Sequence, residues 1–190
     1  MYYHASQVAN IKVLEPRISN HKKPLVYLSS KRENVLVYLS NAIEKYCKEK
    51  EFSFNGSWQK WGPYGFTEDG RLRLEEYYPN AFEETYRGVS GFIYFTSQKP
   101  TPEMDIQIRD AVATRQCVPV EGVEFIEDAY EAIMEVAEKG LIEIRKYEEQ
   151  PQKQLEWIKR IITSEYAEAG NQLDYKYFLE NKFPFLLMNE

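Results

Sequence analysis

The segment VPVEGVEFIEDAYEAIMEVAEKGLIEIRKY, residues 118–147, decides the fold, because it predicts a strand, a helix and a second strand in close succession. Its first part, Val118–Ile126, is rich in β-branched residues, as strands are. Asp128 then precedes an amphipathic run over Ala129–Lys139, and aspartate at that position caps a helix. The glycine that follows ends the helix. Leu141–Tyr147 alternates apolar and charged residues, which predicts another half-exposed strand.

The rest of the chain adds strands and helices in no regular order. Four further strands are predicted, over Met1–Ser6, Leu25–Leu28, Arg71–Tyr78 and Val89–Ser97. One helix is predicted from a polar start at Lys31–Asn34 to the charged run Lys48–Glu51, because apolar residues recur between them at helical spacing. Two stretches, 52–70 and 98–116, have the composition of loops. Without a regular βαβ alternation, the pattern favours an α+β fold over a doubly wound sheet.

Length and composition are typical of a single globular domain of 190 residues. Residues 1–150 form the predicted α+β core, and Pro151 marks a boundary. Beyond it, 151–190 is expected to be a C-terminal helical extension packed on the same domain. Apolar residues there predict one helix around Leu155–Ile162 and a second over Tyr175–Leu179.

Charge, cysteines and hydropathy exclude several classes of function. A net charge of −6 argues against a protein whose main function is to bind a nucleic-acid backbone. Cys47 and Cys117 have no metal-binding spacing, so no metal is expected and both are predicted to be buried small hydrophobes. His21 lies in a polar stretch typical of an exposed loop. No apolar run approaches the length of ~20 residues that spans a membrane. The N-terminus does not look like a signal peptide, and a cytoplasmic protein without membrane contact is expected.

Three places in the sequence could carry chemistry. His4 lies on the first strand, where a histidine can bond a ribose hydroxyl or fill a purely structural role. Tyr27 and Tyr38, on a strand and the following helix, could form a slot for a flat cationic ring or could be core aromatics. Glu124, late in a strand, could stabilise an oxocarbenium-like centre or could point to water.

Taken in this order, the three places resemble the His–Tyr–Glu type of ADP-ribosyltransferase, as in diphtheria toxin and the poly-ADP-ribose polymerases. The matching stretches are Tyr3–His4, Tyr27 with Tyr38, and Glu124, and the ten residues between the tyrosines equal the toxin spacing. The strand, helix and strand of residues 118–147 are similar to the part of the toxin that contains its glutamate. The resemblance covers about residues 1–40 and 118–147.

The resemblance implies an ADP-ribosyltransferase-like split β-sheet with flanking helices, and NAD as substrate. His4 and Glu124 would be catalytic, with Glu124 holding the nicotinamide ribose while the glycosidic bond breaks. Tyr3, His4, Ser6, Tyr27 and Tyr38 would bind NAD, the two last by enclosing nicotinamide. ADP-ribose would pass to water or to an unidentified acceptor, either protein or nucleic acid.

The sequence departs from the family pattern and leaves alternatives open. Ala5 stands where the family usually has glycine. The side chain of alanine limits how closely the backbone can approach the cofactor. Glu121 is a rival for the acidic role, because a different strand register would present it instead. One alternative is a non-catalytic module that keeps the fold and binds a nucleotide or a protein partner through the aromatic loop 52–66. Others are an RNA 2′-phosphotransferase, for which Arg71, Arg73 and Arg87 look too scattered, and a structural or regulatory protein without a ligand.

Overall fold

A computed structural model describes residues 1–18, 22–56 and 61–188 of the chain. The strands are β1 Tyr2–Ser6, β2 Val13–Leu14, β3 Arg17–Ile18, β4 Pro24–Ser29, β5 Tyr64–Phe66, β6 Leu72–Glu75, β7 Gly91–Thr96, β8 Ala111–Thr114, β9 Val118–Pro119, β10 Gly122–Ile126 and β11 Ile142–Arg145. The α-helices are α1 Arg32–Val35, α2 Ala42–Glu49, α3 Ala81–Tyr86, α4 Ala129–Glu138, α5 Gln152–Glu168 and α6 Leu173–Lys182. Short 3₁₀ helices cover Leu36–Tyr38, Tyr147–Glu149 and Pro184–Leu187. The predicted α+β class is confirmed.

The described strands form three sheets. The largest has the order β10-β7-β1-β4-β3, and β8 also pairs with β4. A second has the order β11-β6-β5, and β2 pairs with β9. Within the large sheet, β1 pairs with β7 along its whole length but meets β4 where Tyr3 lies opposite Ser29. The sheet therefore opens between β1 and β4, and this opening positions the site described below.

The main core lies between the large sheet and the three-stranded sheet. It contains buried residues from both sheets, from α4 and from the helical segment after β4, among them Ala5, Leu36, Leu39, Leu72, Ile93, Ile126 and Ile133. Helix α4 forms as predicted, because the Asp128 carboxylate accepts hydrogen bonds from Tyr130 N at 2.8 Å and Glu131 N at 3.3 Å. Gly140, with φ +71°, follows its end.

The C-terminal helices bury their apolar face against α2 and α3 in a second cluster. Its fully buried members include Ile43 and Cys47 from α2 and Ile162, Phe178 and Leu179 from α5 and α6. Residues 151–188 thus share a continuous core with the upstream chain.

The helix predicted over residues 31–51 is wrong as a single element. It consists of α1, a 3₁₀ turn and, after a break, α2. The break occurs because the regularly spaced apolar residues serve different clusters: Leu39 packs in the main core and Ile43 in the C-terminal one. Between them the Asn41 amide donates to the Thr85 carbonyl rather than continuing the helix.

Other sequence expectations also need correction. Strands β5 and β8 lie in the stretches 52–70 and 98–116, which were predicted to be loops. Helix α3 was not predicted. The strand predicted over Val118–Ile126 is two strands in different sheets, because β9 pairs with β2 whereas β10 pairs with β7. Cys47 is buried, but Cys117 is exposed, since it lies in the short connection between β8 and β9.

Candidate functional site

A cavity of about 330 Å³ lies where β1 and β4 separate. That volume is at the lower end of the roughly 300–1,000 Å³ typical of small-molecule sites. Its wall is mostly apolar and aromatic, with contributions from the large sheet, from the three-stranded sheet, from α1 and from the segment before β8. The lining residues include His4, Ala5, Tyr27, Ser29, Asn34, Val35, Tyr38, Tyr64, Phe66, Leu72, Ile108 and Arg109.

His4 bridges the opening in the sheet, because its Nδ1 lies 2.8 Å from the carbonyl oxygen of Tyr27. A carbonyl only accepts hydrogen bonds, so Nδ1 must carry the proton and donate it. Burial lowers the pKa of His4, the nearby charge of Arg17 lowers it further, and the bond to Tyr27 opposes them. The ring is therefore neutral near pH 7, and its Nε2 is left as a hydrogen-bond acceptor.

The two tyrosines selected from the sequence both line this cavity. Tyr27 comes from β4, and Tyr38 comes from the 3₁₀ turn that follows α1. Tyr64 holds Tyr38 in place, since their hydroxyls are 2.9 Å apart and their rings meet edge to face at a centroid distance of 6.0 Å. Desolvation and the Tyr64 hydroxyl raise the pKa of Tyr38, so its phenol stays neutral.

The structure does not bring Tyr3 or Ser6 to the cavity wall. The Tyr3 ring packs against the main core and contacts Phe95 at a centroid distance of 6.3 Å. The Ser6 hydroxyl accepts a hydrogen bond from Val8 N at 3.1 Å, which stabilises the turn after β1.

Glu124 also lies outside the cavity lining. It is opposite Ile93 on β7, which in turn is opposite Ala5, whereas His4 is opposite Tyr94. Because side chains alternate along a strand, Glu124 and His4 leave the sheet on opposite faces.

The Glu124 carboxylate is engaged by Arg32 at the start of α1. Arg32 Nε is 2.8 Å from Oε2, and Arg32 Nη2 is 2.5 Å from Oε1, which is the bidentate geometry that guanidinium and carboxylate groups prefer. The rival carboxylate, Glu121, accepts hydrogen bonds from the Ser97 amide at 2.8 Å and hydroxyl at 2.9 Å, and these lower its pKa. Among the described lining residues there is no carboxylate.

Four polar residues of the cavity were not predicted as site residues from the sequence: Ser29, Asn34, Tyr64 and Arg109. Asn34 is on α1, four residues before Tyr38, and this helical spacing was a usable signal for it. Arg109 is exposed, and its guanidinium lies over Gly70, where a Cβ atom would overlap Nη1. No sequence pattern links residue 109 to the site, because its position depends on the pairing of β8 with β4.

The aromatic loop 52–66 divides between two environments. Tyr64 and Phe66 line the cavity, whereas Phe54 and Trp61 pack on the C-terminal cluster. Trp58 and His21 lie outside the described residues. The three arginines considered for an RNA 2′-phosphotransferase all form ion pairs. Arg71 pairs with Asp69, Arg73 with Glu75, and Arg87 with Glu83 and Glu131.

Comparison of the chain with protein-family models, with curated proteins and with solved structures finds no match. Within residues 1–18, 22–56 and 61–188, no group of three or more histidine, cysteine, aspartate or glutamate side chains could hold a metal ion. In the same ranges, no helix combines the length and the apolar character needed to cross a membrane.

Proposed function

We propose that the protein binds NAD, with the nicotinamide ring in the cavity between Tyr27 and Tyr38. The observation that carries the proposal is that His4, Tyr27 and Tyr38 line one cavity. They come from β1, β4 and the turn after α1, and a shared cavity is not expected of three unrelated core residues. Aromatic side chains attract a flat cationic ring, which nicotinamide is in NAD.

The remaining polar groups suit the rest of a nicotinamide nucleotide. Neutral His4 can accept a hydrogen bond at Nε2, and the ribose hydroxyls of NAD are donors. Because His4 is neutral, Arg109 is the only charged side chain among the described lining residues. It is exposed. Guanidinium is the side-chain group best suited to phosphate, so Arg109 would contact the pyrophosphate.

Isothermal titration with NAD tests the binding. Replacing Tyr38 by alanine should weaken NAD binding about five- to a hundredfold, since stacking of a base on an aromatic ring is worth ~1–3 kcal/mol. Tyr177 on α6 is a matched control: it is 44% exposed, against 43% for Tyr38, and lies in the C-terminal region. Tyr177→Ala should leave the affinity unchanged. Equal affinities for wild type and Tyr38→Ala would contradict the placement of nicotinamide between Tyr27 and Tyr38.

A second candidate function is transfer of ADP-ribose, for which Glu124 would serve as the catalytic carboxylate. The observation in its favour is that Glu124 and Ala5 lie in one cross-strand row, on the same face of the large sheet. In the reaction the bond between nicotinamide and ribose breaks, nicotinamide leaves with the electron pair, and the acceptor bonds to ribose and loses a proton. For this, Glu124 must exchange Arg32 for a hydroxyl of a ribose that lies on the Ala5 face of the sheet, opposite to the face that His4 occupies.

Release of labelled nicotinamide separates binding from catalysis. If Glu124 is catalytic, Glu124→Gln should keep NAD binding within a few-fold and cut the release about a hundredfold or more, because the carboxylate acts mainly in the transition state. Glu121→Gln, which removes the neighbouring carboxylate, should remain active. A wild-type protein that binds NAD but releases no nicotinamide, with or without a cell extract to supply acceptors, is a binding module.

A further inference from the structure

We infer that Asn34 determines ligand specificity in the cavity by pairing its side-chain amide with a carboxamide on the ligand. The inference rests on the proposed function, because nicotinamide is the carboxamide in question. Asn34 lies on α1, is 6% exposed and lines the cavity. Neither its Nδ2 nor its Oδ1 has a hydrogen-bond partner among the described residues.

This pair of free polar atoms is unusual for the site. Other polar side chains of the wall have partners: the half-buried His4 donates to the Tyr27 carbonyl, the buried Ser29 hydroxyl accepts from the Lys31 amide, and the exposed Tyr38 hydroxyl lies within hydrogen-bonding distance of the Tyr64 hydroxyl. Buried polar groups in folded proteins are nearly always paired, so an unpaired amide calls for an explanation. A ligand that supplies both partners explains it.

The position of Asn34 suits a substituent on a ring held by the tyrosines. Residues 32–38 run through α1 and the following 3₁₀ turn without a break, so Asn34 and Tyr38 lie about one helical turn apart. Asn34 and Tyr38 accordingly line the same cavity. The terminal torsion of asparagine is soft, so its amide plane can turn toward an entering group at little cost.

The chemistry of the amide defines what it can recognise. A primary carboxamide presents one acceptor and donor hydrogens side by side, which matches the Nδ2 and Oδ1 of Asn34 in a two-point contact. A carboxylate in the same place has no hydrogen-bond donor. One of its oxygens would face Oδ1 of Asn34, and neither of these two oxygen atoms would receive a hydrogen bond from the other group. The adenine edge offers the same donor and acceptor pair, so the two ends of NAD must be distinguished experimentally.

The experiment is isothermal titration of the full chain with three dinucleotides: NAD, its nicotinic acid analogue and its hypoxanthine analogue. Wild type should bind NAD about tenfold or more tightly than the nicotinic acid analogue, because one hydrogen bond is lost and Oδ1 is left unpaired. Asn34→Leu should weaken NAD binding by a similar factor and bring the nicotinic acid analogue within about threefold of NAD. The hypoxanthine analogue should bind like NAD to both proteins. Asn34→Ala repeats the test if the leucine variant does not fold.

The outcomes separate this inference from the proposed function. If NAD binds wild type and both Asn34 variants equally, or if the variants keep the preference for NAD, the inference is overturned while NAD binding stands. If Asn34 instead controls discrimination between adenine and hypoxanthine, the carboxamide assignment is overturned. If wild type does not bind NAD at all, the proposed function itself fails.

Discussion

Replacing Asn34 by leucine should make the free protein more stable. In the free protein the side chain is 6% exposed and both amide atoms lack partners among the described residues. Burying a polar group without a hydrogen bond costs about 1–3 kcal/mol. Leucine removes that cost, and the adjoining cavity of about 330 Å³ leaves room for its slightly different shape.

The expected gain is therefore about 1–3 kcal/mol in the free energy of unfolding. For a domain of this size, each kcal/mol corresponds to roughly 2–4 °C in Tm, so the melting temperature should rise by about 2–12 °C. Thermal unfolding followed by circular dichroism without ligand measures it. Such a gain in stability at the expense of binding is common when a functional group is removed from a site.

Asn34→Asp is the control, because it keeps the shape of the side chain but places a carboxylate in the same apolar surroundings. An unpaired buried charge is far more costly than an unpaired amide, so this variant should be less stable than wild type at pH 7. A lower Tm for Asn34→Leu would refute the reasoning, since it would mean that the amide stabilises the free protein.

Two further predictions concern His4 and the ion pair at α1. The pKa of His4 in the folded protein lies below its ordinary value of 6.5. Below about pH 6.5, the unfolded chain therefore binds a proton at this residue that the folded chain does not bind. The folded state loses stability as the pH falls through this range. Urea unfolding at pH 7.5 and 5.5 should show a loss of up to ~1.4 kcal/mol per pH unit from this residue, and His4→Asn should lack that part; an identical pH dependence in both would contradict it. For Arg32 and Glu124, whose side chains are 31% and 43% exposed, a double-mutant cycle with alanine should give a coupling of about 0.2–1 kcal/mol, and a value well above ~2 kcal/mol would contradict solvent screening of the pair.

The parts of the fold that were predictable are those with local signals. Helix α4 has a capping aspartate, a continuous apolar face and a terminal glycine, all within one segment. The break between α1 and α2 has no such signal, because Leu39 and Ile43 fit one helical period and only the tertiary structure sends them to different clusters. Strand β8 is similar: it is short, contains two alanines, and depends on pairing with the distant β4.

The site was predictable only in part, for the same reason. His4, Tyr27 and Tyr38 could be chosen because each lies on an element with a clear pattern near the N-terminus. Arg109 reaches the cavity from a segment that looks like a loop. Glu124 was placed on the correct strand, but its bond to Arg32 depends on where α1 packs, which the sequence does not reveal.

The central claim is that the opening between β1 and β4 is where NAD binds. Nuclear magnetic resonance of ¹⁵N-labelled protein during titration with NAD tests it most directly. We predict that chemical-shift changes will concentrate at backbone amides of Ala5, Tyr27, Asn34 and Tyr38, around the cavity. The absence of shifts at millimolar NAD, or shifts centred on the cleft lined by Lys45 and Lys182, would contradict the account.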